Sequence, residues 1–128
     1  MTTERLASKT EVLEGILEEL ARNLGGDVNG SAVVSLDGIV FAARFNSNVN
    51  VDRLSAIAAT TLGVGRRVAK DLAIGNCQET IIKCENGYFL VLPAGDRSLL
   101  AINLRQGGNL GMIRIEASEA ANSISLVI

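Results

Sequence analysis

The chain contains no histidine and no tryptophan, and only one proline, one tyrosine and three phenylalanines in 128 residues. The missing histidine excludes Ser-His-Asp and Cys-His triads, zinc-protease helices and ordinary zinc fingers together. The scarce aromatics offer no stacking platform for single-stranded nucleic acid. They also leave the core to Leu, Ile, Val and Ala. Two cysteines, Cys77 and Cys84, fit no CxxC pattern and read as reduced thiols. No apolar run approaches the ~18 residues that span a bilayer, and the polar start MTTERLASKTE holds no signal-peptide core. The expected location is the cytoplasm. Net charge is −2 with both signs mixed, so no basic footprint points to nucleic acid or an anionic membrane.

What is present is aliphatic residues, at 48% hydrophobic content, in a length suited to one domain over residues 1–128. Residues 51–74, VDRLSAIAATTLGVGRRVAKDLAI, are the most informative stretch. At about 100° per residue, Leu54, Ile57, Ala58, Thr61, Leu62, Val64, Gly65, Val68, Ala69 and Leu72 form one broad apolar arc. That arc is expected to face a sheet. The opposite arc should be charged if it faces water, yet its first half is Ser55, Ala56, Ala59, Thr60 and Gly63. Only Arg66, Arg67, Lys70 and Asp71 are conventionally wet. Small residues four apart let a second backbone approach, so this arc is expected to meet another protein surface.

Around it, the pattern predicts a first helix over 9–24, with Ser8 and Glu11 at capping-box spacing and Gly25-Gly26 as its stop. Strands follow at 31–36 and 39–45, joined by Asp37-Gly38, a type I′ hairpin signal. Asp52 reads as the cap of the long helix. Strands at 78–84, 88–94 and 98–104 come next. The last two are apolar on both faces, and the more polar 78–84 suits a sheet edge. A final helix from Leu110 to about Leu126 starts at Asn109. The predicted architecture is an α/β sandwich of order α-β-β-α-β-β-β-α, a five-stranded antiparallel sheet with the long helix on one face and two helices on the other.

Several motifs favour ordinary explanations. The glycines at 63–65 and 107–111 lack the Lys-Ser/Thr of a phosphate loop and a parallel βαβ setting. No convergent carboxylates, cofactor site or metal-ligand cluster is apparent, and Asn29-Gly30-Ser31 reads as a turn. Arg66 and Arg67 match the charge of an arginine finger, although solvent-facing arginines are commoner at such positions. With Arg53 and Lys70 they form a basic zone able to steer an acidic partner surface.

The stretches GSAVVSLDGIVFA (30–42), LSAIAATTLGVGRRVAKDL (54–72), ENGYFLVLPAGDRSLLAI (85–102) and NLGMIRIEASEAA (109–121), in this order and spacing, resemble the Roadblock/LC7 family, its bacterial and archaeal branch most closely. The resemblance implies a profilin-like fold and a homodimer in which the long helix packs antiparallel against its mate. It also implies that the following strand pairs with its counterpart into one ten-stranded sheet. Family members act as scaffolds or regulators of Ras-like small GTPases, and some as GTPase-activating partners, without a chemical active site of their own.

The expected interface is Asp52, Ser55, Ala56, Ala59, Thr60, Gly63, Arg66 and Lys70 on the helix. Thr80, Ile82 and Cys84 on the following strand join it through the resemblance. A two-fold near Thr61 sets Asp52 opposite Lys70 of the mate. A standard interface removes roughly 800 Å² per partner. If about 500 Å² of that is apolar on each side, burial contributes on the order of 25 kcal/mol before association costs. The expected GTPase contact is Arg53, Arg66, Arg67 and Lys70. The sequence leaves open two other readings, a small-molecule sensor and a structural subunit of a heteromeric Roadblock-type complex. Against the sensor stands the scarcity of aromatic and convergent polar side chains.

Overall fold

The computed structural model describes residues 2–128, with side chains described from Lys9 onward. The elements are α1 (Thr2–Asn23), β1 (Val28–Ser35), β2 (Val40–Phe45), α2 (Val51–Leu72), β3 (Thr80–Cys84), β4 (Gly87–Pro93), β5 (Ser98–Arg105) and α3 (Leu110–Val127), with a 3-10 turn at Gly25–Asp27. The five strands form one sheet in the order β2-β1-β5-β4-β3, with every neighbouring pair antiparallel. The element order and antiparallel sheet match the sequence reading, and β3 takes the edge that its polarity suggested.

Side chains that alternate along each strand divide into two cores. On one face Val33, Leu90, Leu92, Leu100, Ile102 and Leu104 pack beneath Leu13, Leu17 and Leu20 of α1 and Ile113, Ala117 and Ile124 of α3. On the other, Ala32, Val34, Val91, Leu99 and Ala101 pack against Ala58 and Leu62 of α2. Strand β1 shows why no single alternating pattern marks this sheet. It is buried along nearly its whole length because both of its faces are covered.

Three local expectations are corrected. Helix α1 begins by Thr2, so Ser8 lies within it and not at its cap. The preceding Glu4, Arg5, Leu6 and Ala7 are all good helix formers, and nothing there breaks the run. The Ser8 side chain falls outside the described residues. The β1–β2 turn is also not type I′. Gly38 alone takes positive φ, +89°. The Gly38 N–H donates to the Ser35 carbonyl at 3.0 Å, and the Ser35 N–H donates to that of Ile39 at 2.8 Å. That geometry is a type I turn followed by a left-handed glycine. The Ser35 hydroxyl accepts from the Ile39 N–H at 3.0 Å, which favours the wider loop.

The third correction concerns the long helix. Its N-cap is Asn50, whose side-chain oxygen accepts from the Arg53 N–H at 3.0 Å. Asp52 sits in the first turn, where its charge complements the helix dipole. Thermal melts will therefore separate the two residues: Asn50→Ala costs about 1 kcal/mol of stability, and Asp52→Ala a few tenths. Asn109 caps α3 as expected, accepting from the Met112 N–H at 3.2 Å.

Candidate interaction surface

Helix α2 turns few of its apolar residues toward the sheet. Ser55, Ala58, Leu62 and Ala69 are its buried residues, and Leu62 is the only large one. Ile57, Val64, Val68 and Leu72, expected in the same arc, are exposed, Val64 by 59% and Ile57 by 47%. The arc is too wide for one contact. Ala58, Leu62, Gly65 and Ala69 make a stripe at i, i+4, i+7, i+11, and Ile57, Thr61, Val64 and Val68 repeat that spacing one residue earlier. Stripes offset by one residue lie about 100° apart on a helix, so the sheet covers one and leaves the other.

The uncovered stripe borders the edge strand β3. Ala56, Ile57, Thr60, Thr61 and Val64 face Thr80 and Ile82 across an open groove of about 480 Å³. The two threonines suit this apolar setting. Thr60 donates its hydroxyl to the Ala56 carbonyl at 3.0 Å and Thr61 to that of Ile57 at 2.8 Å, so each helix carbonyl takes up a polar hydrogen that would otherwise need water. Farther along, Val64, Gly65, Val68 and Ile74 line a second hollow of about 670 Å³ with residues 76–81. Gly65 is explained within the subunit: a Cβ there would stand 2.6 Å from Thr80 Oγ1 and 2.8 Å from Cys77 Sγ. Gly63, in contrast, has open space around it.

The residues singled out from sequence fall into separate groups. Ala56, Thr60, Thr80 and Ile82 come together in the groove. Ser55 does not join them, being 2% exposed and turned to the sheet, where its hydroxyl has no hydrogen-bond partner among the described residues. Helical phase puts Asp52, Ala59, Arg66 and Lys70 on the far flank, and Ala59 is half-buried against the sheet core. Cys84 is exposed at the end of β3. The four basic residues do not form one zone. Arg53 lies 13 positions before Arg66, about 20 Å along the axis. Arg67 is held to Asp71 by an exposed ion pair at 3.3 Å, worth little by itself. Ile57, Val64 and Val68 are what the sequence reading missed as surface residues, and the doubled stripe is the signal that could have located them.

A family model described as the Roadblock/LC7 domain matches residues 13–103. The chain belongs to the Roadblock/LC7 family. An uncharacterized protein of Methanocaldococcus jannaschii is 33% identical to this Roadblock/LC7 chain over 113 residues, covering 88% of it and 93% of the relative. Among solved structures, an MglB described as having a tetrameric arrangement superposes with a TM-score of 0.85 at 22% identity, covering 93% of this chain and 89% of that one. The gliding protein MglB of Thermus thermophilus gives 0.84 at 21%, covering 93% and 90%. Profilin IA of Acanthamoeba castellanii gives 0.58 at 15%, covering 85% and 95%, and the fold is profilin-like. Among the described residues no helix is long and apolar enough to cross a membrane.

Proposed function

We propose that this Roadblock/LC7 chain works in the cytoplasm as a homodimeric scaffold that binds and regulates a Ras-like small GTPase, contributing surface and not chemistry. The observation that carries the reading is the stripe Ile57–Thr61–Val64–Val68, exposed at its three aliphatic positions, running beside the unpaired edge of β3. A second copy related by a two-fold near Thr61 lays its own stripe against this one, antiparallel. The same operation brings the two β3 edges together, so that Thr80 and Ile82 face their counterparts and the sheet grows from five strands to ten. Unpaired edges invite such pairing, and an isologous contact closes at two subunits. Asp52, Ala59, Arg66 and Lys70 then border the contact and do not fill its centre.

The GTPase part of the proposal rests on family membership and on the exposed cations Arg53, Arg66 and Lys70, none of which takes part in an ion pair within the subunit among the described residues. Arg67 is the weakest member of that contact because Asp71 already engages it. Biolayer interferometry with the purified chain and the Ras-like GTPases of the same organism, each loaded with GDP or a GTP analogue, tests it. The expected result is binding of one GTPase that depends on its nucleotide. Absence of binding at tens of micromolar in both states, for every such GTPase, removes the reading.

A further inference from the structure

A hollow on the flank away from β3 lies between the carboxyl-terminal turns of α2 and the β4–β5 turn. It measures about 790 Å³ and is lined by Arg66, Lys70, Asn76, Gly95 and Asp96, among others. Its walls are built stiffly. The only proline in the chain, Pro93, is one of them. Beside it, Ser98 donates its buried hydroxyl to the Ala94 carbonyl at 2.7 Å, and the Ala94 N–H donates to the Ser98 carbonyl at 2.9 Å. Across the hollow Ala73 ends α2 at φ +53°, the only residue other than glycine with positive φ among the described residues. Two more positive-φ residues, Gly75 and Gly95, complete the rim. An alanine held in the left-handed region is disfavoured and persists only where its surroundings impose it.

Two features of charge define what fits. Arg66 and Lys70 stand one helical turn apart on one wall, and neither takes part in an ion pair among the described residues, whose pairs are Arg67–Asp71, Asp27–Arg105 and Glu79–Arg114. The opposite wall carries Asp96, and the hollow sits at the carboxyl end of α2, where the helix dipole is negative. A phosphate or pyrophosphate would meet both of these repulsions. A single carboxylate on a flexible strand of polypeptide can reach the two cations, while the neutral backbone on either side of it brings no further negative charge toward Asp96 or the helix end.

We infer that this cleft is the docking site for a short acidic loop of a protein partner. The inference rests on reading the chain as a partner-binding module and places the contact on that module at Arg66 and Lys70, apart from Arg53 and Arg67.

The test is an NMR titration of the isotope-labelled full chain with a short capped peptide of alternating glutamate and glycine at low salt, with inorganic phosphate as the parallel probe. Peptide-induced shifts are expected to concentrate in residues 73–77 and 95–96, with phosphate shifting them far less at equal concentration. Lys70→Glu should remove them. Asp96→Asn should tighten peptide binding roughly threefold, the effect of one like charge removed at an exposed site. Equal shifts around Arg53 and Arg67, persistence in Lys70→Glu, an equal response to phosphate, or no gain in Asp96→Asn would each overturn the inference. Light scattering on the same samples keeps the readings apart. A single-subunit mass in the unmodified chain counts against the dimer, whereas an unchanged dimer without the localised shifts counts against the cleft alone.

Discussion

Light scattering on the purified chain at micromolar concentration is expected to return close to twice its 13.5 kDa subunit mass, and Val64→Glu to return it to one subunit. Val64 is 59% exposed within the subunit, so the substitution asks nothing of the fold. In the proposed dimer it lies near the middle of the antiparallel stripe, where the introduced carboxylate and its symmetry mate would be buried close together without a counter-ion. A truncated central contact typically costs about 2 kcal/mol or more, and burial of unpaired like charges adds to that. The dissociation constant should rise at least 100-fold, while circular dichroism stays unchanged. A single-subunit mass for the unmodified chain would refute the dimer outright.

Leu62→Ala should destabilise the protein by about 2–5 kcal/mol in urea unfolding, the range for deleting a buried leucine side chain. That is a large share of a total of roughly 5–15 kcal/mol. The site belongs at the upper part of the range for a specific reason. Leu62 is 1% exposed and is the only large side chain of α2 that is fully buried; its buried companions Ser55, Ala58 and Ala69 are small. On the sheet side this core holds Ala32, Val34, Val91, Leu99 and Ala101, a smaller set than the one that surrounds Leu17, so fewer side chains can relax into the void. The same truncation in the other core, at Leu17 of α1, has Leu13, Leu20 and the aliphatic residues of α3 to relax around it. It is expected to cost less. Equal losses at the two positions, measured with the dimer held intact at high protein concentration, would show that α2 is anchored by more than this leucine.

The element order was legible because each boundary carried its own chemistry. Gly25-Gly26 ends α1, the runs 88–94 and 98–104 are apolar on both faces because both faces are covered, and Asn109 caps α3. Errors arose where two residues competed for one job. Asn50 and Asp52 both suit an N-cap, and only the chain's path into α2 decides that Asn50 is the one left outside the first turn. Asp37-Gly38 satisfies the signal for one turn type, yet the Ser35 hydroxyl stabilises another. For the surface, periodicity showed that α2 has too little polar circumference, but not how its apolar residues divide. A count of residues per arc cannot distinguish one wide contact from two narrow ones. The division depends on how far β3 lies from the helix, and that distance is set by pairings of β3 with β4 and of β4 with β5, which are absent from the local sequence. The cleft beyond Lys70 was hidden for the same reason, since Pro93 and Asp96 reach it only through the fold.

The strand order has a kinetic corollary. The central pairing joins β1 to β5, with Val33 opposite Leu100, so the innermost ladder unites segments from the first and last thirds of the chain. Non-local pairings of this kind slow folding. During synthesis, β1 emerges with only the β2 hairpin for company and waits, aliphatic and half-paired, until residues 98–105 have left the ribosome. Fragments ending before residue 98 should therefore be insoluble even though they contain α1, the hairpin and α2 complete.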